Sequence, residues 1–256
     1  MRPVLFEIHG IKVYGYGLMI ALGIIAAVYI AERISKYKNI SSDDIFSLAV
    51  YAIIGGIAGG KLLYIIVEIK QFINNPGEFI NTLGSGFVIY GSLLGGMAGA
   101  YMFCRKKKFN FLAVVDFLIP GVAIAQGFGR IGCFLAGCCY GKVTDSFLGV
   151  RFNSPFTPDN LPRFPTQIFS SAFDFALGIF LLLRWFKIKD EKTQGKILSL
   201  YLIIECAGRF MIEFIRDDPR GNIGPLSTSQ FMSIFGFAIG VIIFIIINRR
   251  KTGSVI

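Results

Sequence analysis

Four cations lie within or at the ends of long apolar stretches, namely Lys61, Arg130, Arg209 and Arg216, accompanied by Tyr16, Tyr64, Tyr90, Glu205 and Glu213. Ionisable side chains are costly in lipid, so such residues usually face a bundle interior or a water-filled cavity. Glu205 with Arg209, and Arg209 with Glu213, stand at i,i+4 spacing and can neutralise one another as structural pairs. That pairing leaves Arg130, Arg216 and Lys61 in excess of the local acids. Surplus cation asks for an anion, and at the level of a lipid headgroup the commonest is a phosphate, which arginine can hold bidentately. Other chemistries are poorly supplied. The sole histidine, His9, precedes the first apolar run, which argues against a buried Ser-His or Cys-His dyad. Cys104, Cys133, Cys138, Cys139 and Cys206 form no spaced disulfide framework. Cys133, Cys138 and Cys139 lack a fourth ligand for a tetrahedral zinc site, so small polarizable wall residues are favoured over a redox or metal site. No metal or cofactor is expected. Asp116 and Asp174 are single carboxylates in apolar runs; neither reads as catalytic, and Asp116 suits stabilisation of the N-terminus of its own helix.

The elements that must carry these residues follow from composition. The chain has 256 residues, 54% of them hydrophobic and only 16% charged, against about 25% charged in soluble domains. The charges cluster between apolar runs of about twenty residues, the length that crosses a bilayer's hydrocarbon core. The expected fold is an all-α polytopic membrane protein, a single transmembrane domain over 1–256, with seven spans at about 14–32, 45–67, 86–103, 111–131, 167–186, 196–215 and 229–248. The first ten residues show no basic lead into a cleavable site, so the first span itself is expected to direct insertion.

Orientation follows from the basic residues. Loops after spans one, three, five and seven hold fifteen of the 26, including the tetrad at 105–108, so the N-terminus is expected outside and the C-terminus in the cytoplasm. The net charge of +10 then has a topological cause, and nucleic acid is not expected as a partner. At 1.5 Å per residue, Lys61 lies about 24 Å above the inner start of its span, near the outer leaflet. Tyr16, Tyr64, Tyr90 and Arg130 fall at the same outer level. Glu205, Arg209, Glu213 and Arg216 share one sector of about 80° on an ideal helix. Gly55, Gly56, Gly59 and Gly60 in span two, and Gly91, Gly95, Gly96 and Gly99 in span three, have the small-xxx-small spacing of closely packed helices.

The stretch 127–142, GFGRIGCFLAGCCYGK, is glycine-dense and carries Arg130, a composition suited to backbone that leaves helical form beside a ligand. The run Gly129-Arg130-Ile131-Gly132, followed by Phe134 and by Gly141, resembles the signature of the prolipoprotein diacylglyceryl transferase family. Further pieces agree in order: Tyr16-Gly17-Leu18-Met19, Gly59-Gly60-Lys61 with Tyr64, Tyr90-Gly91, Asp116-Phe117, Arg163-Phe164-Pro165-Thr166-Gln167, Arg209 with Glu213 and Arg216, and Gln230. The resemblance runs from about residue 14 to 240. It implies transfer of the diacylglyceryl group of phosphatidylglycerol to the lipobox cysteine thiol of a prolipoprotein, giving a thioether and glycerol phosphate. The setting it implies is a bacterial plasma (inner) membrane, with the site towards the outer leaflet and bilayer lipids around it. On this resemblance Arg130 and Arg216 clamp the phosphate, and Tyr16 and Tyr90 orient the headgroup or relay the thiol proton. Gln167 hydrogen-bonds glycerol or peptide, and Lys61, Tyr64, Arg209, Glu213 and Gln230 complete the substrate-binding set.

Several positions depart from the family's commonest pattern. Tyr90-Gly91-Ser92 stands where many members have His-Gly-Gly, Cys133 and Cys138 stand where Asn and Glu are usual, Phe164 replaces a histidine, and Glu205 a frequent tyrosine. The general base is open between Tyr90, ranked first, Glu205 and solvent. A tyrosine serves as a base near neutrality only if a cation lowers its pKa from about 10. The loop 144–165, with Pro155, Pro158 and Pro162, is long enough to form an irregular outer-face arm, around 144–166, over the site. Two other readings stand beside the transferase. One is a relative that keeps the lipid site but uses another acceptor. The other is a transporter or receptor for an anionic ligand, disfavoured by the lack of a clear internal repeat.

Overall fold

Each of the seven apolar runs becomes a long helix in the computed structural model. The structure describes residues 4–8, 11–74, 77, 86–153, 157, 159–188, 194–218 and 221–252. His9, Pro155 and Pro158 lie outside these residues. In chain order come β1 (Val4–Ile8), β2 (Ile11–Tyr14), α1 (Gly15–Ser35), α2 (Ser42–Val67), the short α3 (Ile69–Asn74), α4 (Ile89–Lys107) and α5 (Phe111–Ala136). They are followed by β3 (Val150–Arg151), β4 (Pro162–Arg163), α6 (Thr166–Lys187), α7 (Lys196–Ile212), β5 (Asn222–Ile223), β6 (Leu226–Ser227) and α8 (Thr228–Thr252). Among the described residues the long elements are helices, joined by three antiparallel two-stranded pieces, β1-β2, β3-β4 and β5-β6, which the all-α expectation lacked.

Among the described residues, five helical segments are long and apolar enough to cross a membrane: Gly15–Lys38, Ser42–Val67, Phe111–Ala136, Thr166–Lys187 and Thr228–Arg249. This makes the chain a multi-pass membrane protein. The two remaining long helices fall short for physical reasons. Helix α7 has 17 residues, about 25 Å of rise against a hydrocarbon core of about 30 Å. Helix α4 is rich in glycine and ends on Arg105, Lys106 and Lys107, which lowers its hydropathy.

The chain divides into two compact units, residues 1–31 with 115–256, and residues 32–114. The smaller unit is built on α2 and α4. Ser41 caps α2 by accepting a hydrogen bond from the Asp44 N–H at 3.1 Å, and Lys107 closes an ion pair with Asp44 at 2.8 Å. Where the two helices cross, a Cβ added at Gly55 would overlap the Gly95 carbonyl oxygen, and one at Gly59 that of Gly91. The glycine spacing therefore does what it suggested, bringing backbone against backbone.

The larger unit packs Phe117, Ala123, Leu177, Leu181, Trp185 and Ile197 into its interior. Asp116 does not stabilise its own helix. Its carboxylate accepts from the Gly195 N–H at 2.6 Å and the Leu198 N–H at 2.9 Å, and so caps the start of α7. Periodicity located the charge, but its partner is 82 residues away in sequence, beyond any local rule.

Candidate active site

Arg130 sits on α5 about two turns before its end, partly buried. Asp174 of α6 and Glu205 of α7 act on it electrostatically, together with the thiols of Cys133 and Cys139. Asp174 and Glu205 also act on each other electrostatically. Glu205 thus feels Asp174 of α6 as well as Arg209 on its own helix, a setting that a single carboxylate in an apolar run did not suggest. The Tyr201 hydroxyl donates to Gln126 Oε1 at 2.8 Å in the same unit. On α1, the Tyr16 ring lies against Gly132, where an added Cβ would come within 3.0 Å of it, and Tyr16 keeps 46% of its surface exposed. Arg130 acts electrostatically on Tyr16.

Beyond Arg130, helix α5 ends in a left-handed turn. Gly137 has φ of 75°, and the N–H groups of Gly137 and Cys138 both donate to the Cys133 carbonyl, at 3.0 and 3.2 Å, satisfying a carbonyl the helix would otherwise orphan. Three segments then lace together: the Gly141 N–H donates to Phe164 O, Lys142 N–H to Ile215 O and Asp217 N–H to Tyr140 O. Gly141 is sterically required, since a Cβ there would meet both the Ile215 carbonyl and Phe164 at 2.8 Å.

Arg163 ties this lacing down. It is 4% exposed, donates to Asp159 at 2.8 and 3.3 Å and to Asp217 at 2.7 Å, and lies over the Tyr140 ring at 4.9 Å. The guanidinium holds the Asp159 carboxyl below the usual carboxylate range. Thr166 and Gln167, at the start of α6, donate to the carbonyls of Cys139 at 2.7 Å and Cys138 at 2.6 Å. Gln167 is 1% exposed and its Oε1 is buried without a hydrogen-bond partner among the described residues.

The expectation that Glu205, Arg209, Glu213 and Arg216 share one helix face holds only for the first two. Helix α7 stops at Ile212, residues 213–215 form a 3-10 turn, and Arg216 is extended, bridged to Gly141. The helix unwinds because this chain joins the laced segments. Arg216 is also less open than its sequence context implied, since it donates bidentately to Asp218 at 3.1 Å. Arg209 pairs with Glu213 at 3.6 Å, and Glu213 accepts from the Ser227 hydroxyl at 2.9 Å.

Gln230 has a structural task. Ser227 Oγ accepts from the Gln230 N–H and Gln230 Oε1 accepts from the Ser227 N–H, each at 3.1 Å. This is a capping box at the start of α8, and its Ser-x-x-Gln spacing is readable from sequence. Gln230→Ala should therefore lower stability by about 1 kcal/mol with lipid affinity unchanged. Thermal unfolding in detergent set beside a lipid-binding isotherm checks this; weakened binding at wild-type stability would return Gln230 to the substrate.

Lys61, Tyr64 and Tyr90 belong to the smaller unit. Lys61 Nζ lies over the rings of Tyr64 at 5.1 Å and Phe87 at 5.5 Å, which keeps a partly buried ammonium against π faces. Gly86 has φ of 68° and the Tyr64 ring occupies the space a side chain there would need. Tyr90 is in the first turn of α4, beside Gly91 of the helix crossing. Tyr16, Arg130, Gln167, Arg209, Glu213, Arg216 and Gln230 belong to the larger unit.

A model of the family described as "Prolipoprotein diacylglyceryl transferase" matches residues 3–246. A protein of Clostridium tetani named phosphatidylglycerol–prolipoprotein diacylglyceryl transferase is 56% identical over 98% of this chain and 100% of its own length. Proteins carrying the same activity in their names are 49% identical in Clostridium perfringens, over 98% of this chain and 97% of that protein, and 31% identical in Clostridioides difficile, over 100% and 99%.

Proposed function

The chain belongs to the prolipoprotein diacylglyceryl transferase family, and from that premise we propose that it moves the diacylglyceryl group of phosphatidylglycerol onto the lipobox cysteine thiol of prolipoproteins. The observation that carries this reading is the family match across residues 3–246, which takes in every motif named above. In the reaction a substrate thiolate attacks the glycerol carbon that bears the phosphate oxygen. The carbon–sulfur bond forms, the carbon–oxygen bond breaks, and glycerol phosphate leaves with the electron pair. We place this chemistry in a single transmembrane domain of seven spans in the bacterial inner membrane, N-terminus outside, with the site towards the outer leaflet.

The transition state gathers negative charge on the leaving phosphate, so a fixed guanidinium stabilises it more than the ground state. Arg130 is the primary clamp in this reading. Arg216 is the second, delivered by exchange of its Asp218 partner for the lipid phosphate. The attacking thiol, with a free pKa of about 8.5, must lose its proton. Tyr90, by its place in the motif, and Tyr16, beside Gly132, are the hydroxyls assigned to orient the headgroup or relay that proton. Gln167 has its amide N–H committed to Cys138, which leaves Oε1 to accept from a glycerol hydroxyl or peptide N–H. Lys61 and Tyr64 bind headgroup, while Arg209 and Glu213 set the position of Ser227 and the start of α8.

Purified protein in detergent, given labelled phosphatidylglycerol and a lipobox peptide, should yield the thioether product. Bound lipid without product would replace this reading with a relative that uses another acceptor. Tyr90→Phe should lower turnover by about a hundredfold if its hydroxyl relays the proton, with lipid KM little changed. Near-normal turnover would transfer the role to Glu205 or solvent.

A further inference from the structure

Three thiols that the transfer reaction does not use converge at the end of α5. The Sγ atoms of Cys133, Cys138 and Cys139 lie within 4.8 Å of one another, all three residues partly buried. Their convergence is built into the backbone. Cys133 is on the last turn of the helix, Gly137 reverses the chain at φ of 75°, and Cys139 is held at φ of 65°, a region that residues with a side chain seldom enter. Both following carbonyls are pinned, that of Cys138 by Gln167 and that of Cys139 by Thr166. Little ordering is therefore needed for the three sulfurs to act together.

The donor set selects its ligand. Thiolates favour soft ions such as Cu(I) and zinc. A metal–sulfur bond of about 2.3 Å places the sulfurs of a trigonal site about 4 Å apart, within reach of the observed separation by small side-chain rotations. Zinc requires a fourth ligand, and among the described residues the cluster includes no histidine or carboxylate. Three thiolates also need compensating charge. Arg130 stands one turn before Cys133 on α5, and Arg216 is bridged to Gly141, two residues beyond Cys139.

We propose that Cys133, Cys138 and Cys139 form a three-thiolate site for one soft monovalent metal ion of the Cu(I) type. On binding, three S–H protons pass to solvent and three metal–sulfur bonds form with no change of oxidation state. The bound thiolates draw on the field of Arg130, so metal loading opposes lipid-phosphate binding; this consequence rests on the transferase reading, whereas the site itself does not.

The test titrates Cu(I) into reduced, full-length protein in detergent under anaerobic conditions, against a chromogenic Cu(I) chelator. One Cu(I) per chain is expected, in an all-sulfur, three-coordinate environment by X-ray absorption. Cys138→Ser and Cys139→Ser should each weaken binding by about a hundredfold, while a Cys104→Ser, Cys206→Ser double variant binds as the wild type does. Stoichiometry that survives Cys138→Ser in a variant with wild-type helix content would overturn the site. So would tighter binding of Zn(II) than of Cu(I), or an oxygen or nitrogen ligand in the wild-type absorption spectrum, measurements that need no variant to fold. Loaded protein should lose transfer and regain it with chelator. Binding without inhibition removes the coupling to Arg130, and a metal-free protein that makes no thioether counts against the transferase reading alone.

Discussion

Replacing Arg130 with alanine is expected to reduce diacylglyceryl transfer by about 10²–10³-fold, the usual cost of removing one preorganised group that stabilises a developing anion. The loss should fall on kcat and kcat/KM more than on KM, because charge on the leaving phosphate grows only as the carbon–oxygen bond breaks. Asp174 and Glu205 act on Arg130, and Asp174 is buried, so the fold of the variant is read separately from its turnover. Arg216 has a directly bonded partner. Its bidentate partner Asp218 has a side chain only 15% exposed, so Arg216→Ala removes two hydrogen bonds from a shielded carboxylate and should affect stability as well as turnover. Arg130→Lys should recover part of the activity, because a lysine supplies the charge but not the planar fork that matches a phosphate. Turnover of labelled lipid with a lipobox peptide, read beside thermal unfolding, decides the matter. A fully active Arg130→Ala enzyme would remove Arg130 from the chemistry.

Sequence patterning located the helices well because each answers to a one-dimensional signal, a run of apolar residues about as long as a bilayer is thick. The helix starting at Thr166 was expected at 167, and the one starting at Lys196 at that same residue. What patterning missed are partnerships set by tertiary structure. Asp116 looked like a charge at the start of its own helix, yet it caps α7, because the N–H groups that need an acceptor arrive from elsewhere in the fold. Asp174 looked isolated until α6 and α7 brought it to Glu205. Arg216 was placed on a helix face by extrapolating a periodicity past Ile212, where pairing with Gly141 competes with the helix and wins. Gln230 joins Ser227 in a capping box whose spacing is already readable in the sequence. The spacing of Cys133, Cys138 and Cys139 gave no sign that a left-handed turn would fold their thiols together.

Two adjacent glycines on α4 should respond very differently to the same substitution. At Gly95 an added Cβ would overlap the Gly55 carbonyl oxygen and lie 2.9 Å from Gly59 Cα. Every one of those atoms is backbone, so no rotamer change can make room, and Gly95→Ala must push α2 and α4 apart along their crossing. The cost is expected to reach about 3 kcal/mol or more, at or above the upper end for overpacking, because contacts between these helices come from close backbone approach rather than from exclusion of water. At Gly96 the nearest atom to an added Cβ is the Ala52 carbonyl oxygen at 3.3 Å, a tight contact that a shift of a few tenths of an ångström relieves. Alanine also favours the helix over glycine by about 1 kcal/mol, so Gly96→Ala should be near neutral. Thermal unfolding of the two purified variants in detergent reads the difference directly. Equal melting temperatures would mean that the crossing is looser than its backbone contacts require. A low value for Gly95→Ala alone would make the glycine row a steric condition for the unit that carries Lys61, Tyr64 and Tyr90.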